Sequence, residues 1–133
     1  MFASRFIRTA IAASCLAGSA AFAQDVLQAA PNHYKVRVDN ADVRVIENVL
    51  APGEKDPTHT HPAGWYYVTL PGKMKVVRAD GTSEIWDAKA GEAGWMEAEG
   101  PHTSENIGAA PMGFVLVEVK SAAAHAPAKV HSP

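Results

Sequence analysis

The sequence is poor in cysteine: Cys15 is the only one in 133 residues. A disulfide staple within the chain is therefore excluded. Charge of one sign is missing too. Twelve Lys and Arg stand against fourteen Asp and Glu, a formal net charge of −2. Scattered lysines on a mildly acidic chain argue against a nucleic-acid footprint. Beyond residue 23 there is no long apolar run, so no membrane span is expected there. That part also lacks a capped segment of 3.6-residue period, which excludes a helical bundle. No internal repeat is visible, and the length suits one domain rather than two.

What is present begins with a leader. Residues 1–8 carry Arg5 and Arg8 and no acid, residues 9–20 are small and apolar, and Ala21-Phe22-Ala23 follows. These are the three parts of a secretory signal peptide, with cleavage expected after Ala23. The apolar run is shorter than the roughly 20 residues that span a bilayer. Cleavage after Ala23 is favoured over a membrane anchor and over lipid attachment at Cys15. The two arginines are not adjacent, so there is no twin-arginine signal. A periplasmic or secreted protein is expected, soluble once cleaved. The mature chain from Gln24 has no cysteine, ten basic and fourteen acidic side chains. Residues 121–133, rich in Ala and Pro, read as a disordered tail.

Between these ends, residues 24–120 read as one all-β domain. Strand-like runs occur at 33–38 (HYKVRV), 42–50 (DVRVIENVL), 64–70 (GWYYVTL), 73–78 (KMKVVR), 82–88 (TSEIWDA), 94–97 (GWME) and 113–120 (GFVLVEVK). In the last, Val115, Val117 and Val119 share one face, and Phe114, Leu116 and Glu118 the other. That is the period of a half-buried strand. Asp80-Gly81 reads as a two-residue hairpin turn, and Pro52-Gly53, Pro71-Gly72 and Ala90-Gly91 mark further turns. Residues 24–32 read as a lead-in. Many short strands at close spacing mean a sandwich or barrel.

The chemistry-bearing segment is 52–72, PGEKDPTHTHPAGWYYVTLPG. His59 and His61 are two apart, and on an extended chain such residues point to one face. His102, in EGPHTSEN, is the third candidate ligand, on a loop or strand that pairing could bring alongside. Gly53, His59, His61 and Gly72, followed by Gly91, His102 and Asn106, carry a resemblance: the chain is similar to a single-domain cupin. The family's first motif is G-x5-H-x-H-x3-E-x6-G and its second G-x5-P-x-G-x2-H-x3-N. Both spacings fit without a gap, over roughly residues 36–120. The resemblance implies a double-stranded β-helix, or jelly roll, with a divalent metal held in its mouth by His59, His61 and His102. It also implies a homodimer.

Two departures matter. Trp65 stands where the first motif has its carboxylate, and one further residue of spacing gives Tyr66, also no acid. Glu97 and Glu99 replace the Pro and Gly of the second motif. The site thus resembles the three-histidine subgroup of cupins, which keeps open positions for a chelating substrate and oxygen. Three functions remain open. The first is an Fe(II) oxygenase acting on a small chelating molecule such as a dicarbonyl, a catechol or a thiol. The second is a non-redox lyase or isomerase using Zn, Mn or Ni, with Tyr66, Tyr67 or Glu97 moving a proton. The third is a binding module without turnover. Fe(II) is the first expectation, although by the divalent stability order Zn or Cu should win a site of neutral imidazoles. Tyr66 and Glu97 are the candidate catalytic residues. Trp65 or Tyr66 is expected to wall the pocket. His33 reads as an exposed residue at a strand start, and His125 and His131 as solvated.

Overall fold

The computed structural model describes residues 24–120. The expected leader and tail lie outside the described residues. Seven strands fall on the seven alternating runs: β2 (Tyr34–Asp39), β3 (Val43–Leu50), β5 (Gly64–Leu70), β6 (Gly72–Arg78), β7 (Ser83–Ala88), β8 (Ala93–Met96) and β10 (Met112–Val119). Three more lie where alternation is hidden: β1 (Gln24–Asp25), β4 (Lys55–His61) and β9 (Glu99–Asn106). The lead-in also holds a single helical turn, α1 (Val26–Ala29), capped by Asp25 through a 3.0 Å bond from the Leu27 amide.

The strands form two five-stranded sheets, β1-β4-β9-β6-β7 and β2-β3-β10-β5-β8. Pairing is antiparallel except for β1 on β4. The expected all-β jelly roll is what the chain adopts. Ile46, Leu50, Val68, Phe114 and Leu116 project inward from the second sheet and meet Met74, Val76 and Ala88 of the first. Val26 of α1 is fully buried among them, so this short turn is held by packing rather than by its own hydrogen bonds.

Strands β4 and β9 carry no such apolar stripe. Their buried residues are Asp56, His59 and His61 on one and His102, Ser104 and Asn106 on the other. The barrel interior is thus apolar on one side and polar on the other, and the polar side is built on two neighbouring strands. Their register shifts between Asp56 and His59 and again between His59 and His61. Pro57 sits within the first shift, where its missing amide hydrogen costs the ladder nothing.

The hairpin between β6 and β7 differs from the two-residue turn expected. The Arg78 amide donates to Thr82 (2.9 Å) and the Gly81 amide to Arg78 (3.0 Å), closing a loop of three residues, 79–81. Gly81 has φ +85°. A type I turn followed by a left-handed residue restores the strand twist, and glycine takes that position without strain.

Candidate metal centre

The register of β4 and β9 puts His59 directly opposite His102. The ring centroids of His59 lie 4.3 Å from those of His102 and 4.8 Å from those of His61, and the last pair is 5.7 Å apart. One ligand nitrogen from each histidine lies within 4.8 Å of the others. The spacing reading therefore brings together the three residues it named. Among the described residues, no other group of three His, Cys, Asp or Glu side chains comes together in this way.

Each ring is held by its Nδ1. His59 faces the Pro57 carbonyl at 2.7 Å, His102 the Gly100 carbonyl at 2.9 Å, and His61 the Glu118 carboxylate at 2.8 Å. An acceptor at Nδ1 places the proton there and leaves Nε2 as a lone pair. The Nε2 of His59 is buried without a hydrogen-bond partner, an arrangement a native interior rarely tolerates unless something else occupies that lone pair. Three imidazole nitrogens within 4.8 Å of one another fit a divalent transition metal.

Burial favours the neutral form of His59 and His102. It pushes the His59 pKa down to about 4, the Pro57 carbonyl opposing the shift and the neighbouring His61 and His102 adding to it. His102 is lowered in the same direction, again chiefly by burial. An unfolded histidine titrates near 6.5. Between these values the unfolded chain binds protons that the folded one does not, so stability falls as pH falls through that window. The midpoint of urea unfolding of the metal-free protein is expected to drop steadily from pH 6.5 towards pH 4. A midpoint flat across that range would show that the rings are not desolvated as described.

The histidines close the floor of a cavity of about 410 Å³, within the common range for small-molecule sites. Its sides are Tyr66, Trp86, Phe114 and Leu116, with Arg78 and Glu99 towards the mouth. Of the two positions where the motif's carboxylate could fall, Tyr66 faces inward. Trp65 is 54% exposed, is absent from the cavity lining, and packs edge-on against Trp95. Successive strand residues face opposite ways, and this decides between them. Glu92 takes hydrogen bonds from the Tyr66 hydroxyl and the Trp86 indole, both 3.1 Å, which fixes the two rings edge to face. Burial, then the Glu92 carboxylate, raises the Tyr66 pKa. At neutral pH Tyr66 is a donor and not a base. A Cβ on Gly94 would lie 2.9 Å from the Tyr66 hydroxyl, so only glycine leaves that ring its place.

Glu97 lies outside this cavity. It is exposed, in the link between β8 and β9, and accepts a 2.9 Å bond from the Trp95 indole. Glu99, the first residue of β9, does line the cavity, with Glu84 and Glu92, and stands opposite His61. Its Oε1 is buried and lies 3.1 Å from Arg78 Nε without a well-directed hydrogen bond. Residues 97–98 belong to neither strand, so the alternation of β8 and β9 does not relate the two glutamates.

His33 departs from its reading as an exposed residue. It is half-buried, with Nδ1 2.5 Å from Asp56 and Nε2 2.9 Å from Glu54. Fully buried Asp56 also accepts from the Tyr34 hydroxyl (2.8 Å) and from Ser104 Oγ (3.1 Å). Tyr34 in turn packs 6.4 and 6.1 Å from the rings of His59 and His61. None of these partners was legible as a site residue. Asp56, between Lys55 and Pro57 and two residues after Glu54, carries no local signal of burial. His125 and His131 lie outside the described residues.

Comparison with known proteins agrees with this geometry. The family model described as Cupin domain matches residues 47–118. A cupin domain from Bordetella pertussis superposes with a TM-score of 0.61 at 22% identity, over 66% of this chain and 92% of that one. A conserved protein with a double-stranded β-helix domain from Klebsiella pneumoniae gives 0.53 at 24% identity, over 65% and 74%. A cupin superfamily protein from Desulfitobacterium hafniense gives 0.51 at 12%, over 66% and 76%. At these identities the likeness is one of fold. No curated protein sequence matches the chain.

Proposed function

Because this chain belongs to the cupin family, we propose that it is an exported cupin oxygenase. In this reading Fe(II) is held by His59, His61 and His102, and a small chelating substrate occupies the cavity above them. The observation that carries the reading is the all-imidazole donor set, with Nδ1 of every ring engaged and no carboxylate among the ligands. Iron bound there would supply open positions at which a dicarbonyl or catechol and oxygen can meet. The chain's own part is binding and exclusion of water. Tyr66, Trp86 and Phe114 offer apolar ring faces to a planar substrate. The Tyr66 hydroxyl gives its one proton to Glu92 and is kept protonated there, so towards a substrate it offers its oxygen as an acceptor. Glu99, facing the cavity opposite His61, takes the proton-accepting role that sequence assigned to Glu97.

The test is oxygen uptake by iron-loaded protein with a panel of diketones and catechols, against a zinc-loaded control. Uptake with iron alone is expected. No uptake with one full equivalent of iron in place would sink the oxygenase. One observation favours a non-redox lyase or isomerase as the second reading. Three neutral imidazoles suit Zn as well as iron, and Glu99 stands ready to move a proton. Turnover by the zinc form would establish it.

Export and pairing are part of the proposal. The leader pattern supports cleavage before Gln24. Trp65 and Tyr67, about half exposed on the outer face of the second sheet, support a homodimer through that face. Intact mass and light scattering of the exported protein read both. A retained leader, or a monomer at high concentration, would count against them.

A further inference from the structure

The inward face of β10 alternates Phe114, Leu116 and Glu118, and Glu118 is as deeply buried as its apolar neighbours. A carboxylate taken out of water is costly unless charge and donors meet it. Both oxygens are met. Oε2 lies 2.5 Å from the Arg44 guanidinium, and Oε1 is 2.8 Å from His61 Nδ1. Arg44 in turn is bidentate with Asp25, at 2.7 and 3.1 Å. Asp25 caps α1 and belongs to β1, which pairs with β4 so that Gln24 stands opposite His59. The chain Asp25–Arg44–Glu118 therefore ends on one candidate ligand. It carries two negative charges and one positive.

The other two histidines differ. His59 and His102 rest on neutral backbone carbonyls. Only His61 donates to a carboxylate. Such an acceptor strengthens the ring as a donor at its far nitrogen and fixes its orientation. The positions that could supply the motif's carboxylate ligand hold Trp65 and Tyr66.

We infer that Glu118, set by Arg44 and Asp25, is a positioning residue that delivers to the metal centre, through His61, the negative charge its three-histidine ligand set lacks. The segment 24–30 is then part of the metal site and more than a lead-in. This rests on the reading that the three histidines hold a divalent metal.

Chelator competition with Zn(II) on untagged protein tests it. Glu118→Gln keeps the shape and an acceptor for Nδ1–H but removes the charge. It should bind one equivalent with affinity reduced roughly 10- to 100-fold. Asp25→Asn, on the half-buried N-terminal segment, should weaken binding in the same direction by less, and serves if Glu118→Gln does not fold. In a His61→Ala background, Glu118→Gln should change the residual affinity by less than about twofold. An equal loss there would mean that Glu118 acts on folding or by bulk charge, and would overturn the inference. So would wild-type affinity in Glu118→Gln, or in Asp25→Asn where it is the variant that serves. If the unaltered protein binds no metal, the metal-site reading fails and this inference with it. If it binds one equivalent and the variants bind as tightly, only the assignment to Glu118 fails.

Discussion

Replacing His102 by Ala is expected to lower the metal content of the purified protein from about one equivalent to near none. His102 lies between β4 and β6, opposite His59 and Arg78, and its ring is the nearest to His59. Without it two imidazoles remain on one strand, too few to close a site against competing water. The substitution removes a ring from the wall of a cavity, so the barrel should stay folded. Metal analysis after dialysis, with circular dichroism as the folding control, measures both. Retention of one full equivalent would show that the ligand assignment is wrong. Metal-free wild-type protein, after incubation with Fe, Zn, Mn, Ni and Cu in turn, would leave the histidines as polar groups of a ligand pocket.

The second large effect belongs to Asp56, which touches no candidate ligand. Asp56→Ala should cost about 3–5 kcal/mol, since it leaves two buried hydroxyls without an acceptor, at roughly 1–3 kcal/mol each. It strips the acceptor from the Tyr34 hydroxyl and from Ser104, and leaves His33 with Glu54 alone. Each buried donor left unsatisfied adds to the loss. For a domain of this size a fall in Tm of at least about 12 °C follows, at the 4–8 °C per kcal/mol typical of small domains. Thermal unfolding of the metal-free protein measures it. A loss below about 1 kcal/mol would mean that water replaces the carboxylate and that the network is not dry.

These two residues differ in how they could be seen. His59 and His61 stand out by type and two-residue spacing, and His102 with the framing glycines completes the cupin resemblance. Asp56 has no such mark. Its partners at 33, 34 and 104 come from two other strands, the start of β2 and β9, and only the register of β4 on β9 and the approach of β2 join them. Strands β4 and β9 escaped an alternation reading for a related reason. Their inward residues are polar and each strand contains a proline, Pro57 and Pro101, so the usual apolar signature is inverted over the very residues that build the site. Tyr66 against Trp65, and Glu99 against Glu97, show the limit more finely. A motif spacing uncertain by one residue, or a link outside the strands, changes which side chain faces inward.

The sequence by itself determined the all-β class, most strand positions, the glycine at the Gly81 turn and the His59–His61 pair, while His102 joined them through the resemblance to the second cupin motif. The first four depend on chemistry between neighbours in the chain: the two-residue period of an extended backbone, the freedom of glycine, and ligand spacing on a single strand. The tertiary structure alone decided that Glu118 lies behind His61, that Arg44 and Asp25 hold it there, that Asp56 is buried, and that Glu99 rather than Glu97 faces the cavity. Arg44 and Glu118 are 74 residues apart along the chain. A contact of that kind depends on which strands become neighbours and in what register, and no local pattern of residues encodes either.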